Sequence, residues 1–143
     1  MPGTGHHGAV TSWTPDWAAW PPALLDFWTE RHLCTLTTLR PDGRPHVVPV
    51  GVALDRDERC AWVITSRESR KARNLGGSGH VAACQVDGRR WSTLEGRAAV
   101  LADAASVRRA ETMYAARYRT PRENPARVAI RIEVDRILSS SDF

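Results

Sequence analysis

A single lysine, Lys71, stands among 143 residues; the other 19 basic residues are arginine. Abundant alanine beside that arginine points to a GC-rich coding preference, so the number of arginines means little, while a lysine retained against that preference means more. Cysteine is scarce too. Cys34, Cys60 and Cys84 are odd in number and lie far apart in the strand-like stretches LCTLTTL, RCAWVIT and VAACQV. No CxxC and no histidine at ligand spacing accompanies them, which argues against a disulfide framework or a zinc site and for buried free thiols in a reducing cytosol. No apolar run approaches the roughly 20 residues of a membrane helix, so no spanning segment is expected. The opening MPGTGHHGAVTSW has neither the basic start nor the apolar core of a secretory signal, and the expected location is cytoplasmic. The patterns GxGxxG, GxxxxGK[ST] and GxSxG are missing, and no nucleophile–base pair stands out. Any chemistry is therefore expected to come from a bound cofactor.

What is present is an ordinary globular composition, 42% apolar and 25% charged, on a chain long enough for one hydrophobic core. Residues 1–20 read as an arm. Glycines 3, 5 and 8 discourage regular structure, and Thr14-Pro15-Asp16 can cap one turn that aligns Trp13, Trp17 and Trp20. Two readings of those tryptophans stand open: packing on the chain's own barrel, or covering a ligand or partner. Residues 21–143 read as the cofactor-binding domain. PALLDFWTERH places Leu24, Leu25, Phe27 and Trp28 on one helical face. Alternation with period two then marks strands at 33–40, 45–54, 60–65, 80–86, 90–101 and 127–137, joined by Pro41-Asp42-Gly43, Asp55–Glu58 and Asp87-Gly88 turns, with one helical stretch at 104–118. Short strands on tight turns with few helices predict a mainly β (α+β) fold, an antiparallel barrel flanked by short helices. Pro49 lacks a ladder donor and is expected on an edge or bulge, where backbone is exposed to a ligand. His46, on the same strand, reads as a hydrogen-bonded structural histidine.

The stretch SRESRKARNLGG, residues 66–77, lies between two of these strands. Ser69 is a good N-cap, which puts Arg70 and Lys71 in a first helical turn, where the positive end of the dipole disfavours cations. A phosphate resolves that conflict, with free N–H groups, the two cations and the Ser69 or Ser66 hydroxyl converging on one dianion. The alternative is a solvated basic turn. Lysine, a compact charge, suits phosphate as a point contact. Trp91 is placed either to stack on a planar ring or to fill a core or interface.

The order HxxPV, then VIT-S-x-x-SRKxxNL, then VDGxRWxxLEGRA resembles the pyridoxamine 5′-phosphate oxidase-like split-barrel superfamily over residues 22–143. Arg117–Val128 (RYRTPRENPARV) and Leu36–Asp42 (LTTLRPD) are most similar to its branch that uses the deazaflavin coenzyme F-420, and within it to the F-420-dependent biliverdin reductases. The resemblance implies a homodimer with two cofactor sites at the subunit interface. It implies that Val48, Pro49, Val50 and Gly51 present backbone to the ring system and that Thr65 and Ser66 form the polar end of the third strand. Ser69, Arg70 and Lys71 would hold phosphate, and Trp91 would approach from the partner chain. Val48 and Ala53 stand where flavin-using relatives carry basic residues, which favours F-420 over FMN. The implied reaction is hydride transfer from reduced F-420 to a planar anionic acceptor such as biliverdin, the proton coming from an arginine, with Arg40 a candidate, or from solvent. Arg119, Arg122 and Arg127 would meet the acceptor's propionates or the cofactor's glutamate tail. The competing readings are an FMN-dependent oxidase or reductase and a non-catalytic F-420- or tetrapyrrole-binding module. Nucleic-acid binding is not expected, because acids alternate with the basic residues along the strands.

Overall fold

The computed structural model describes residues 10–143. In chain order the elements are β1 (Val10–Trp13), α1 (Pro22–Thr29), β2 (Cys34–Leu39), β3 (Pro45–Val50), β4 (Ala53–Asp55), β5 (Cys60–Ser66), α2 (Arg70–Leu75), β6 (Ser78–Asp87), β7 (Arg90–Leu101), α3 (Ala104–Arg117) and β8 (Arg127–Ser140). The strands form one eight-stranded sheet in the order β3-β2-β6-β7-β8-β5-β4, with β1 added to β8. Every pairing is antiparallel. The two edge strands, β3 and β4, are consecutive in the chain with only Gly51 and Val52 between them, so the sheet closes on itself as the expected barrel.

The alternation that marks the strands also fills the barrel. Leu36, Ala83, Leu94, Ile130, Ile132 and Ile137 are fully buried and meet inside with Leu24 and Trp28 of α1. The Trp28 Nε1–H donates to Ser92 Oγ at 2.9 Å, and the Ser92 hydroxyl donates to the Leu138 carbonyl at 2.9 Å, so the buried indole and hydroxyl are both satisfied. On the other face of β5 and β8 a smaller cluster joins Cys60, Trp62 and Ala129 to Ala110, Val107 and Met113 of α3. No helix of the described residues is long and apolar enough to cross a membrane.

Three expectations need correction. The strand anticipated over 45–54 is two strands, broken at Gly51-Val52. There the rings of Tyr114 and Tyr118 press on the backbone, and the Val52 N–H donates to the Tyr118 hydroxyl at 3.0 Å instead of to a ladder. The arm contains a strand: Val10–Trp13 pairs with Ile137–Ser140, extending β8 three residues past its expected end. Trp20 is buried in the core with Trp13 and Trp17 packed beside it, so the arm lies on its own barrel; positions 1–9 fall outside the described residues. Cys84 is only half-buried, because inward alternation on β6 falls on Val81, Ala83 and Gln85.

Candidate functional site

Beside the open edge of β3 lies a cavity of about 330 Å³, within the range of small-molecule sites. Pro49, Val50 and Gly51 form one wall, and Ile64, Thr65 and Ser66 of β5 form another. Lys71 of α2 joins them; Tyr114, Arg119, Pro121 and Arg122 come from α3 and the loop after it, and Asn124 and Arg127 complete the lining. Residues spread over almost 80 positions of the sequence thus meet because β3 is an edge. Pro49 offers no N–H, and the strand pairs only with β2, leaving its other side open to the cavity.

The cavity lining is positively charged. No carboxylate lines it, and Arg127 alone of its cations is neutralised, by Glu111 at 2.8 Å. Lys71 has no carboxylate within ion-pair distance among the described residues, and burial pulls its ammonium below the usual lysine range. The hydroxyls beside it have spare protons. Ser69 Oγ accepts from the Ala72 N–H at 3.3 Å and from the Thr65 hydroxyl at 3.0 Å, and Ser66 Oγ accepts from Asn124 Nδ2 at 2.9 Å. Ser66 lines the cavity with its hydroxyl proton uncommitted, whereas Ser69, whose oxygen caps α2, is not part of the lining. A half-buried unpaired ammonium and the Ser66 hydroxyl in the lining of one cavity fit a phosphate ester.

Not every sequence candidate reaches this place. Arg70 is exposed and Arg40 follows β2 into its turn, and neither lines the cavity. Val48 packs against the core instead, and Trp91, at the start of β7, faces elsewhere on this chain. Because α2 is only six residues long and the Ala72 N–H is already taken by Ser69, backbone contributes less to anion binding than the spacing predicts. His46 is not satisfied as expected: its Nδ1 is buried without a partner, and burial together with Arg40, Lys71 and Arg70 lowers its pKa. Tyr114 and Tyr118 were not foreseen, since helical spacing gives no sign that their rings meet a glycine far upstream.

The family model described as pyridoxamine 5′-phosphate oxidase matches residues 20–141. The chain belongs to the pyridoxamine 5′-phosphate oxidase family. It is 54% identical over 119 residues to an F-420H2-dependent biliverdin reductase from Mycobacterium tuberculosis, covering 83% of this chain and 87% of the relative. Among solved structures, a conserved hypothetical protein from Mycobacterium tuberculosis superposes with a TM-score of 0.72 at 26% identity, over 85% of this chain and 84% of the other. A protein named F-420 reductase superposes with a TM-score of 0.63 at 21% identity, over 78% of this chain and 93% of the other, a likeness of fold. The anticipated split barrel is therefore the fold of this pyridoxamine 5′-phosphate oxidase family member.

Within this family member, Gly51 is where cavity and scaffold meet. A methyl group added there would lie 2.8 Å from Cε2 of both Tyr114 and Tyr118. Tyr118 cannot swing aside, because its hydroxyl donates to the His32 carbonyl at 2.7 Å and accepts from Val52. Burial pushes the Tyr118 phenol up to about 12, so it remains a donor throughout the physiological range. Gly51→Ala is expected to cost about 1–3 kcal/mol, the usual penalty of overpacking, as a lower urea midpoint at unchanged slope. A midpoint equal to the parent's would show that the two rings are free to yield.

A second group of chemistry-bearing residues, Glu30, His32 and Asp87, has its ligand atoms within 4.8 Å of one another. Arg90 sits on both carboxylates, and hydrogen bonds from Arg90 and His32 draw the Glu30 carboxyl down to about 2. The guanidinium already neutralises this group, which ties α1 to the β6–β7 turn.

Proposed function

We propose that this chain is a reductase that takes its hydride from reduced F-420 and that its acceptor is biliverdin. The observation that carries the reading is 54% identity to an F-420H2-dependent biliverdin reductase across 87% of that protein, together with a cavity whose donors suit a phosphate ester. When bound, F-420 supplies a two-electron hydride donor on a planar ring. The chain's own task is to hold and orient. Lys71 and Ser66 take the phosphate, and the open side of Pro49–Gly51 lies along the ring. Arg119 and Arg122, unpaired and exposed, meet carboxylates. The closing barrel keeps the ring against the acceptor and limits water at the reacting face. Neither a carboxyl nor an imidazole lines the cavity, and the proton that follows the hydride, taken up by a pyrrole nitrogen of the acceptor, comes from an arginine or from solvent.

We also read the chain as a cytoplasmic homodimer with Trp91 of each subunit facing the other's cofactor. Leu39 and Val47, both about half-exposed on neighbouring β2 and β3, supply apolar surface for such a contact. The test incubates the purified chain with reduced F-420 and biliverdin and follows cofactor oxidation and bilirubin formation. Turnover is expected. Tight binding of FMN with none of F-420 would overturn the cofactor assignment, and binding of both compounds without oxidation would make the chain a carrier.

A further inference from the structure

Hydride transfer requires contact between donor ring and acceptor, so the acceptor's seat must share a wall with the cofactor's cavity. Two neighbouring concavities do so. One shares Pro121, Arg122 and Arg127, and its remaining lining includes the carboxylates of Glu111 and Glu123. The other, of about 400 Å³, shares Tyr114 and Arg119 and is completed by Arg31, Leu33 and Tyr118. No carboxylate lines this second one, and neither Arg31 nor Arg119 takes part in any ion pair of the described residues. Its floor is a tyrosine pair with ring centroids 5.0 Å apart and planes inclined by 31°.

The rim of this concavity is fixed in place. Residues 30–33 join α1 to β2, and their backbone is pinned on both sides of Arg31. The Arg117 Nε–H donates to the Glu30 carbonyl at 2.9 Å, and the Tyr118 hydroxyl donates to the His32 carbonyl. Arg90 and His32 also hold the Glu30 side chain. Between these anchors Arg31 is exposed, and Leu33 is 69% exposed, the most exposed large apolar side chain among the described residues. A leucine kept in water on an immobilised loop, beside two unpaired guanidiniums and over two aromatic rings, is a surface prepared for something flat, apolar in its body and anionic at its ends.

We propose that this concavity seats the acceptor and takes a planar conjugated dianion, its π-system over Tyr118 and Leu33 and its carboxylates on Arg31 and Arg119. The proposal rests on the reductase reading for its occupant, while its geometry is independent of the cofactor. It is tested by equilibrium binding to the cofactor-free protein with two probes, biliverdin followed by induced circular dichroism and fluorescein followed by anisotropy. Both are expected to bind the parent. Arg31→Gln is expected to weaken each about tenfold or more, the scale of a lost charged hydrogen bond, and Leu33→Asp to weaken each further through like-charge repulsion. F-420 affinity should stay at the parent's value in both variants. Parent-like affinity for both probes in Arg31→Gln and Leu33→Asp would overturn the seat, even if the parent turns over biliverdin and the reductase reading stands. Failure of both probes to bind the parent would overturn it as well. Fluorescein binding that responds to both substitutions, with no biliverdin binding, would uphold the seat and refute biliverdin as its occupant.

Discussion

Replacing Lys71 with alanine is expected to weaken F-420 binding by about 1.5–3 kcal/mol, or roughly 10- to 150-fold in Kd, without loss of the fold. The magnitude follows from what surrounds the ammonium. It lines the cavity beside the Ser66 hydroxyl, which has a proton to give, it has no carboxylate partner among the described residues, and burial already lowers its pKa. A charge already half stripped of water and unpaired in the free protein has less hydration to give up on meeting a phosphate, so more of the interaction appears as affinity. Removing it should leave the barrel intact, since Ala72 and Leu75, not Lys71, are the residues α2 buries. Titration of fluorescence quenching against F-420 measures the effect, and thermal melting checks the fold. Affinity equal to the parent's would mean that the phosphate lies elsewhere.

Asp55→Ala is expected to destabilise the protein by about 1–3 kcal/mol, because it leaves the buried Trp62 indole N–H without its acceptor and parts Arg109 of α3 from the carboxylate it holds. The Asp55 side chain has no exposure, and Arg109 of α3 reaches it with two N–H groups at 2.7 Å each. The Trp62 Nε1–H donates at 2.9 Å and the Glu58 N–H at 3.1 Å. Burial works to raise this carboxyl, but the Arg109, Trp62 and Glu58 bonds outweigh it and hold it at about 2, below its ordinary 3.8. A carboxyl lowered by folding adds stability that is fully present above its unfolded value and is lost as pH falls through the folded one. The parent should therefore lose stability between pH 3.8 and about 2, and Asp55→Ala should show a flatter profile across that window. Urea unfolding at neutral and acid pH measures both. Variant and parent curves that run parallel in acid would locate the acid sensitivity in another group.

Much of this was legible because it is local. The strand over Arg90–Leu101 has the bounds that alternation assigns it, and the Ser69 cap and Gly76 stop of α2 follow from residue chemistry, with Gly76 at φ 62°. Lys71 was legible because it contradicts the composition around it. What stayed hidden depends on partners distant in sequence. Nothing in PHVVPVGVAL says that the strand must break at Gly51, since the cause is a pair of tyrosines more than 60 positions later. Asp55 reads as the first residue of a turn, and only the fold brings it to Arg109, 54 positions on. Likewise, β1 is a strand because the far end of β8 offers it an edge; VTSW alone has no pattern. Arg70 and Lys71, adjacent in sequence, part company because successive helical positions face about 100° apart, sending one to solvent and the other into the cavity.

The last turn of α3 connects more of the molecule than its length suggests. Tyr114 borders both concavities, Arg117 donates to the Glu30 and Val52 carbonyls and to Gln85, and Tyr118, the next residue, bears on Gly51 and on the loop before β2. The two concavities therefore hang from a common strut, and tilting it would shift both together. Retuning this scaffold for new acceptors should hence leave positions 114, 117 and 118 untouched and diversify Arg31 and Leu33, whose outward side chains can change without disturbing that strut.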